Sequence, residues 1–183
     1  MNLIRNNINA FLLVFVSILV SVFLGTLVEN FRSLIVLAFG AKILALLVWG
    51  FYVIPGIFLA KMLQYVFFSS FDPTIESMLS LAAIATFIPV LTMYMLKISQ
   101  AANLFNLESL DFRHIIFFVF ITSILTSTFK YMYMMNDVLL EYNAAIAMIN
   151  ALFGQLFGGL LFVYVASKYA QPIYQILKKL KFA

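Results

Sequence analysis

Two lysines, Lys42 and Lys61, stand in the middle of long apolar runs. A cation placed there in a bilayer is costly, so each calls for a partner, an escape to the interface along its aliphatic stem, or a role in binding. Gln64 follows Lys61 by three residues, which sets two polar groups on one helical stripe. Glu76 is the nearest acidic candidate in sequence to pair with Lys61. Lys42 lies among Ala38, Ala41 and Ala45, a narrow face suited to close packing. With Asn150 and Gln155 farther along the chain, these residues form the candidate polar core or ligand site: Lys42, Lys61, Gln64, Glu76, Asn150 and Gln155. If they converge, the lysines favour an anionic solute.

The rest of the inventory argues against bond-breaking chemistry. The chain has no cysteine and one histidine, His114, so thiolate catalysis, cysteine metal sites, disulfides and histidine clusters are excluded within it. No nucleophile–base pair, paired-carboxylate motif or phosphate-cradling glycine loop is present. The expectation is a protein with no catalytic residue, no metal and no cofactor. The net charge of +4 does not point to nucleic acid, because the basic residues are spread over loops and the C-terminal tail rather than gathered on one face.

The elements that position the lysines follow from composition. With 65% hydrophobic and 10% charged residues and a mean hydropathy of +1.09, the chain belongs in lipid, where backbone polar groups must be satisfied internally. Long apolar runs select helices over a barrel, giving an all-α polytopic bundle in a single domain spanning residues 1–183. Six spans are expected: Asn9 to Val28, Ser33 to Gly50, Val53 to Ser70, Ile75 to Leu96, Ile115 to Tyr133 and Ala144 to Ser167. Pro55 suits the first turn of the third, Asp72 is the expected N-cap of the fourth, and Pro89 should kink it. The first span is read as retained, since no small-residue cleavage site follows it.

Arg5, Lys97, Arg113, Lys168, Lys178, Lys179 and Lys181 fall on the terminus side of such a bundle, against Arg32 and Lys130 on the other, so both termini are expected in the cytoplasm. Trp49, Tyr52, Tyr164 and Tyr169 would ring the inner interface, and Phe67, Phe68, Phe71, Tyr131 and Tyr133 the outer one. The basic tail from Lys168, carrying Ile173, Leu177 and Leu180, would lie on the anionic inner leaflet.

Small residues recur at four-residue spacing. Ser17, Ser21 and Gly25 form one row, and Gly154 and Gly158, with Gly159 adjacent, continue another from Asn150. Such rows let helices approach closely, either within the bundle or between copies in an oligomer. Thr122, Thr126 and Lys130 form a third row beside Ser123 and Ser127. A polar pathway would require these rows to face one another and Gln155.

The run Gly40-Ala41-Lys42-Ile43-Leu44-Ala45-Leu46-Leu47, followed by Tyr52-Val53-Ile54-Pro55-Gly56-Ile57-Phe58-Leu59-Ala60, resembles the MASE1 family of bacterial integral membrane sensory domains. Asp111-Phe112-Arg113-His114 opening a Ser/Thr-rich span resembles its middle helix, and Gly154-Gln155-Leu156-Phe157-Gly158-Gly159 its glycine-paired late helix. Leu37-Ala38-Phe39 stands where the family has Pro-Pro-Ser, Gln155 stands where it has an acidic residue, and the family commonly has more spans. The resemblance implies stimulus sensing in a bacterial inner membrane. With no output domain among these residues, the expected route is through a separate protein partner. Two other readings stay open: a substrate-capturing subunit of a small-solute importer, and a structural or assembly subunit of a larger membrane complex.

Overall fold

The computed structural model describes residues 2–27, 36–68, 74–99, 112–135 and 144–180. Within them the chain forms six α-helices: α1 (Asn2–Leu27), α2 (Leu37–Trp49), α3 (Ile54–Phe68), α4 (Ile75–Ile98), α5 (Phe112–Met135) and α6 (Ala144–Leu180). A 3-10 turn, Gly50–Val53, joins α2 to α3. Pro55 falls in the first turn of α3, and Pro89 lies inside α4. The basic tail continues α6 as helix, through Lys178 and Lys179. Arg32, Phe71, Asp72, Asp111 and Lys181 lie outside the described residues. The cap of α4 is Thr74, whose hydroxyl accepts from the Ser77 backbone N–H. The expected cap, Asp72, is corrected by register: Thr74 immediately precedes the first helical residue, where a side-chain oxygen reaches the orphan N–H of the third.

Side chains are distributed as lipid requires. Phe23, Phe67, Phe87, Phe157 and Leu161 face outward, while Thr86, Thr92, Thr122, Ser123 and both lysines are buried. In hydrocarbon this leaves apolar groups against lipid and polar groups against each other. Among the described residues, five helical stretches are long and apolar enough to cross a membrane: Leu3–Thr26, Leu37–Phe68, Ile75–Ile98, Arg113–Met134 and Met148–Ala166. The second contains α2, the turn and α3 together.

That stretch reverses direction. The Leu37 N–H donates to Ser21 Oγ, so α2 starts near the end of α1, while Asn7 near the start of α1 binds the turn at the far end of α2. Little of α1 precedes Asn7, yet α3 packs extensively on α1, so α3 must run back along it. A single side chain secures the reversal. Asn7 Nδ2 donates to the Tyr52 and Leu3 carbonyls at 2.7 and 3.1 Å, and its Oδ1 accepts the Gly56 N–H at 3.0 Å. That N–H belongs to the first turn of α3, where no helical carbonyl is available to it. Gly56 is required because a Cβ there would overlap the Asn7 carbonyl oxygen. Asn7→Leu is expected to destabilise the fold by about 2 kcal/mol through the groups it strands, read by denaturant titration in detergent micelles; an unchanged midpoint would show that the turn holds without it.

The principal helix contacts make a closed ring in the order α1, α2, α6, α5, α4, α3 and back to α1. Each helix therefore has two main neighbours and one face toward a shared interior. Glycines close the α2–α6 side. A Cβ on Gly40 would lie 2.6 Å from Phe162 Cβ, and one on Gly158 would overlap the backbone of Val36. The Val36 N–H donates to the Gly154 carbonyl at 3.0 Å, so α6 supplies an acceptor to the start of α2.

Candidate functional site

Neither lysine reaches the surface of the bundle: Lys42 is 2% exposed and Lys61 5% exposed. Lys42 extends from α2 across the ring and donates to the Ala85 carbonyl of α4 at 2.7 Å, with its ammonium 4.5 Å from the centroid of the Phe39 ring. Sequence sets this acceptor. Residue 89 would ordinarily donate to the carbonyl four positions earlier, but Pro89 has no N–H and leaves the Ala85 oxygen without its helical donor. Lys42 supplies the missing hydrogen bond, and the gap in α4 supplies the acceptor that a buried ammonium needs.

Lys61 is held differently, its ammonium donating to Gln64 Oε1 at 2.8 Å within the same helix. One turn beyond Lys61, the Tyr65 hydroxyl accepts a hydrogen bond from Lys130 of α5 at 3.0 Å, and the Lys130 ammonium lies 5.7 Å from that ring. Lys130 is one turn after Thr126 on α5, so its bond to Tyr65 links the hydroxyl row of α5 to α3 one turn beyond Lys61. Among the described residues the one carboxylate side chain is that of Glu76, exposed on the first turn of α4.

The hydroxyl row of α5 completes the interior. Thr86, Thr92 and Ser123 return their hydroxyls to carbonyls four residues earlier, at 2.8, 2.8 and 2.7 Å. Thr122 Oγ1, Thr126 Oγ1, Ser127 Oγ and Gln155 Oε1 are buried without a hydrogen-bond partner. Each such group costs about 1–3 kcal/mol when left unpaired. On α6, a Cβ on Gly159 would meet both Phe39 of α2 and Val119 of α5. Gln155 is one turn away on the same helical face, at the level of Thr122 and Ser123. The interior of the ring thus holds Lys42, Lys61 and the buried hydroxyls of α4 and α5, with Lys130 half-buried beside Tyr65. Among the described residues no three His, Asp or Glu side chains gather as a metal site would need.

No family model, curated protein or solved structure matches the chain. The sequence candidates divide by place. Lys42, Lys61 and Gln155 are buried in the ring, Gln64 is half-buried beside Lys61, Asn150 is half-buried on α6, and Glu76 is exposed. Ser17 and Ser21 bond back along α1, and Ser21 also receives the Leu37 N–H. Gly25 is buried, and Gly154, Gly158 and Gly159 meet α2 within one chain. Outside that candidate set the site also takes in the Phe39 and Tyr65 rings and the hydroxyls of Thr122, Thr126 and Ser127, and above all two hydrogen-bonding groups, the Ala85 carbonyl and Lys130. The first has a signal in the four-residue spacing from Ala85 to Pro89; the second has one in its place at the end of the Thr122–Thr126 row.

Proposed function

We propose that this chain is a membrane-embedded sensory domain in which a small ligand, or a change in the bilayer, biases the packing of the helical ring and is passed to a partner protein. One observation carries the reading: the segments resembling the sensory family converge on one interior. Gly40 to Leu47 is the body of α2 with Lys42, Tyr52 to Ala60 leads into α3 directly before Lys61, and Gly154 to Gly159 brings Gln155. Two buried cations are an expensive arrangement for packing alone, which favours a role in binding.

In this reading the chain crosses a bacterial inner membrane six times, with α2 and α3 as separate spans and both termini in the cytoplasm. The reversal at Asn7 supports the count, and the direction of the helices gathers Arg5, Lys97, Arg113 and Lys168 at one end, as positive residues gather on the cytoplasmic side. That end would face the partner, and a second copy of the chain could join the assembly.

The test is a comparison of Lys61→Met with Lys168→Met, an exposed cation outside the ring interior. Each variant is expressed at native level, and the proteins cross-linked to it are identified. The expected result is capture of a cytoplasmic signalling protein by both, with folding or stimulus response impaired only in Lys61→Met. Equal behaviour of the two variants, or capture of no signalling partner, would sink the proposal. The interior cations also favour a second reading, a solute-capturing subunit of an importer; stoichiometric recovery with a transport engine would select it.

A further inference from the structure

We infer that the unpartnered hydroxyls of α5, with Lys130 beside them and Lys61 one turn before its partner Tyr65, form a binding site for a small oxyanion held through its carboxylate or phosphate oxygens. The inference rests on the reading of this chain as ligand-responsive, and it adds the chemistry of the ligand and the atoms that meet it.

Three observations combine. The first is an excess of donors. Lys61 and Lys130 each carry three N–H groups and make one hydrogen bond apiece, to Gln64 and Tyr65. The second is a set of unused hydroxyls: Thr122 is 0% exposed, and Thr126 and Ser127 are 1% exposed, yet none of their oxygens has a partner. Ser123, in the same helix, shows that the ordinary back-bond to a carbonyl is available to such a residue. The third is a chain of neighbours: Thr126 and Lys130 are one turn apart on α5, Lys130 reaches Tyr65 one turn beyond Lys61 on α3, and Gln155 lies one turn from Gly159, which meets Val119 of α5. A site with many donors, positive charge and few acceptors fits a ligand rich in acceptors and negative charge. Gln155 Oε1, the unpartnered acceptor, would suit a hydroxyl or protonated oxygen on the same ligand.

Lys42 stands apart from this set because the Ala85 carbonyl and the Phe39 ring already engage it. The buried state of the hydroxyls means that entry of a ligand must part neighbouring helices. Occupancy is thereby coupled to ring geometry, which is what a sensor requires.

The experiment uses the full chain in nanodiscs of phosphatidylcholine and follows its melting with succinate, inorganic phosphate, sodium chloride at matched ionic strength, and glycerol. A separate arm replaces part of the lipid with phosphatidylglycerol, which distinguishes a headgroup phosphate from a free anion. The expected result is a saturable rise in melting temperature with succinate, phosphate or phosphatidylglycerol and none with chloride or glycerol. Thr126→Val should bind the effective anion about tenfold more weakly, the factor for one hydrogen bond to a charged group. Without anion it should melt no lower than the wild-type chain, since an unpartnered hydroxyl has been replaced by a methyl of similar shape. Lys168→Met should match the wild type in both respects. No saturable shift with any of the three oxyanion sources, or a Thr126→Val chain that binds unchanged, would overturn the site. Binding is measured without any partner protein. A chain that binds but signals to nothing overturns the sensory reading and leaves this site standing, and a signalling chain that binds no oxyanion does the reverse.

Discussion

Gly158→Ala is expected to cost about 4 kcal/mol, the sum of overpacking and a stranded backbone hydrogen-bond pair. The added Cβ would overlap the nitrogen, carbonyl carbon and oxygen of Val36, the last at 2.7 Å. All three are backbone atoms, so no rotamer change can relieve the contact. The start of α2 would have to move away from α6, breaking the hydrogen bond from the Val36 N–H to the Gly154 carbonyl that spans the two helices. Gly50→Ala is the control. Gly50 has a φ of +71° and a ψ of −160°, with nothing within 4 Å of its would-be Cβ, so the substitution meets conformational strain without a clash. Strain alone should cost about 2 kcal/mol. Unfolding of both variants in mixed micelles gives the comparison, and an equal loss for the two would show that the α2–α6 contact is more yielding than its geometry implies.

The second large effect concerns Lys42 and Pro89 together. Lys42→Met removes a buried cation but leaves the Ala85 carbonyl without a donor, and the stranded acceptor alone costs about 1–3 kcal/mol. Pro89→Ala restores an N–H that can close the helix onto the same carbonyl, in competition with the ammonium. In the double variant the helix satisfies its own carbonyl and no buried charge is left behind. Lys42→Met should therefore be less damaging in the Pro89→Ala background than in the wild-type chain by about 1–2 kcal/mol, a coupling well above the ~0.5 kcal/mol scatter of independent sites. A double-mutant cycle on unfolding free energies measures it, and simple additivity would separate the lysine from the proline.

The helical class and the positions of the apolar stretches were legible because lipid allows few alternatives, and each stretch reports itself through composition. The break between α2 and α3 was also legible, in Gly50 and the Pro55-Gly56 pair. Ring order was not, because it departs from chain order: α2 lies against α6, and α1 lies against both α2 and α3. Nothing local to Val36 names Gly158 as its neighbour, and nothing local to Asn7 names Gly56. The cap of α4 turned on register, with Asp72 and Thr74 both chemically suited to the role. At the site, burial of the lysines can be argued from their runs, but the Ala85 carbonyl that receives Lys42 and the buried Thr126 hydroxyl lie on other helices. The Ala85 acceptor is a backbone atom, invisible to any reading of side-chain motifs unless the proline four residues later is connected to it.

The order of the ring also has a consequence for biogenesis. Of the six helices, α6 is synthesised last, and it is the one that lies between α2 and α5. Until it arrives, a nascent bundle of the first five has an open seam along α2, with the hydroxyl row of α5 on the other side of the gap. The glycines of α6 then serve as a closing joint, small enough to slide into a space whose walls are already built.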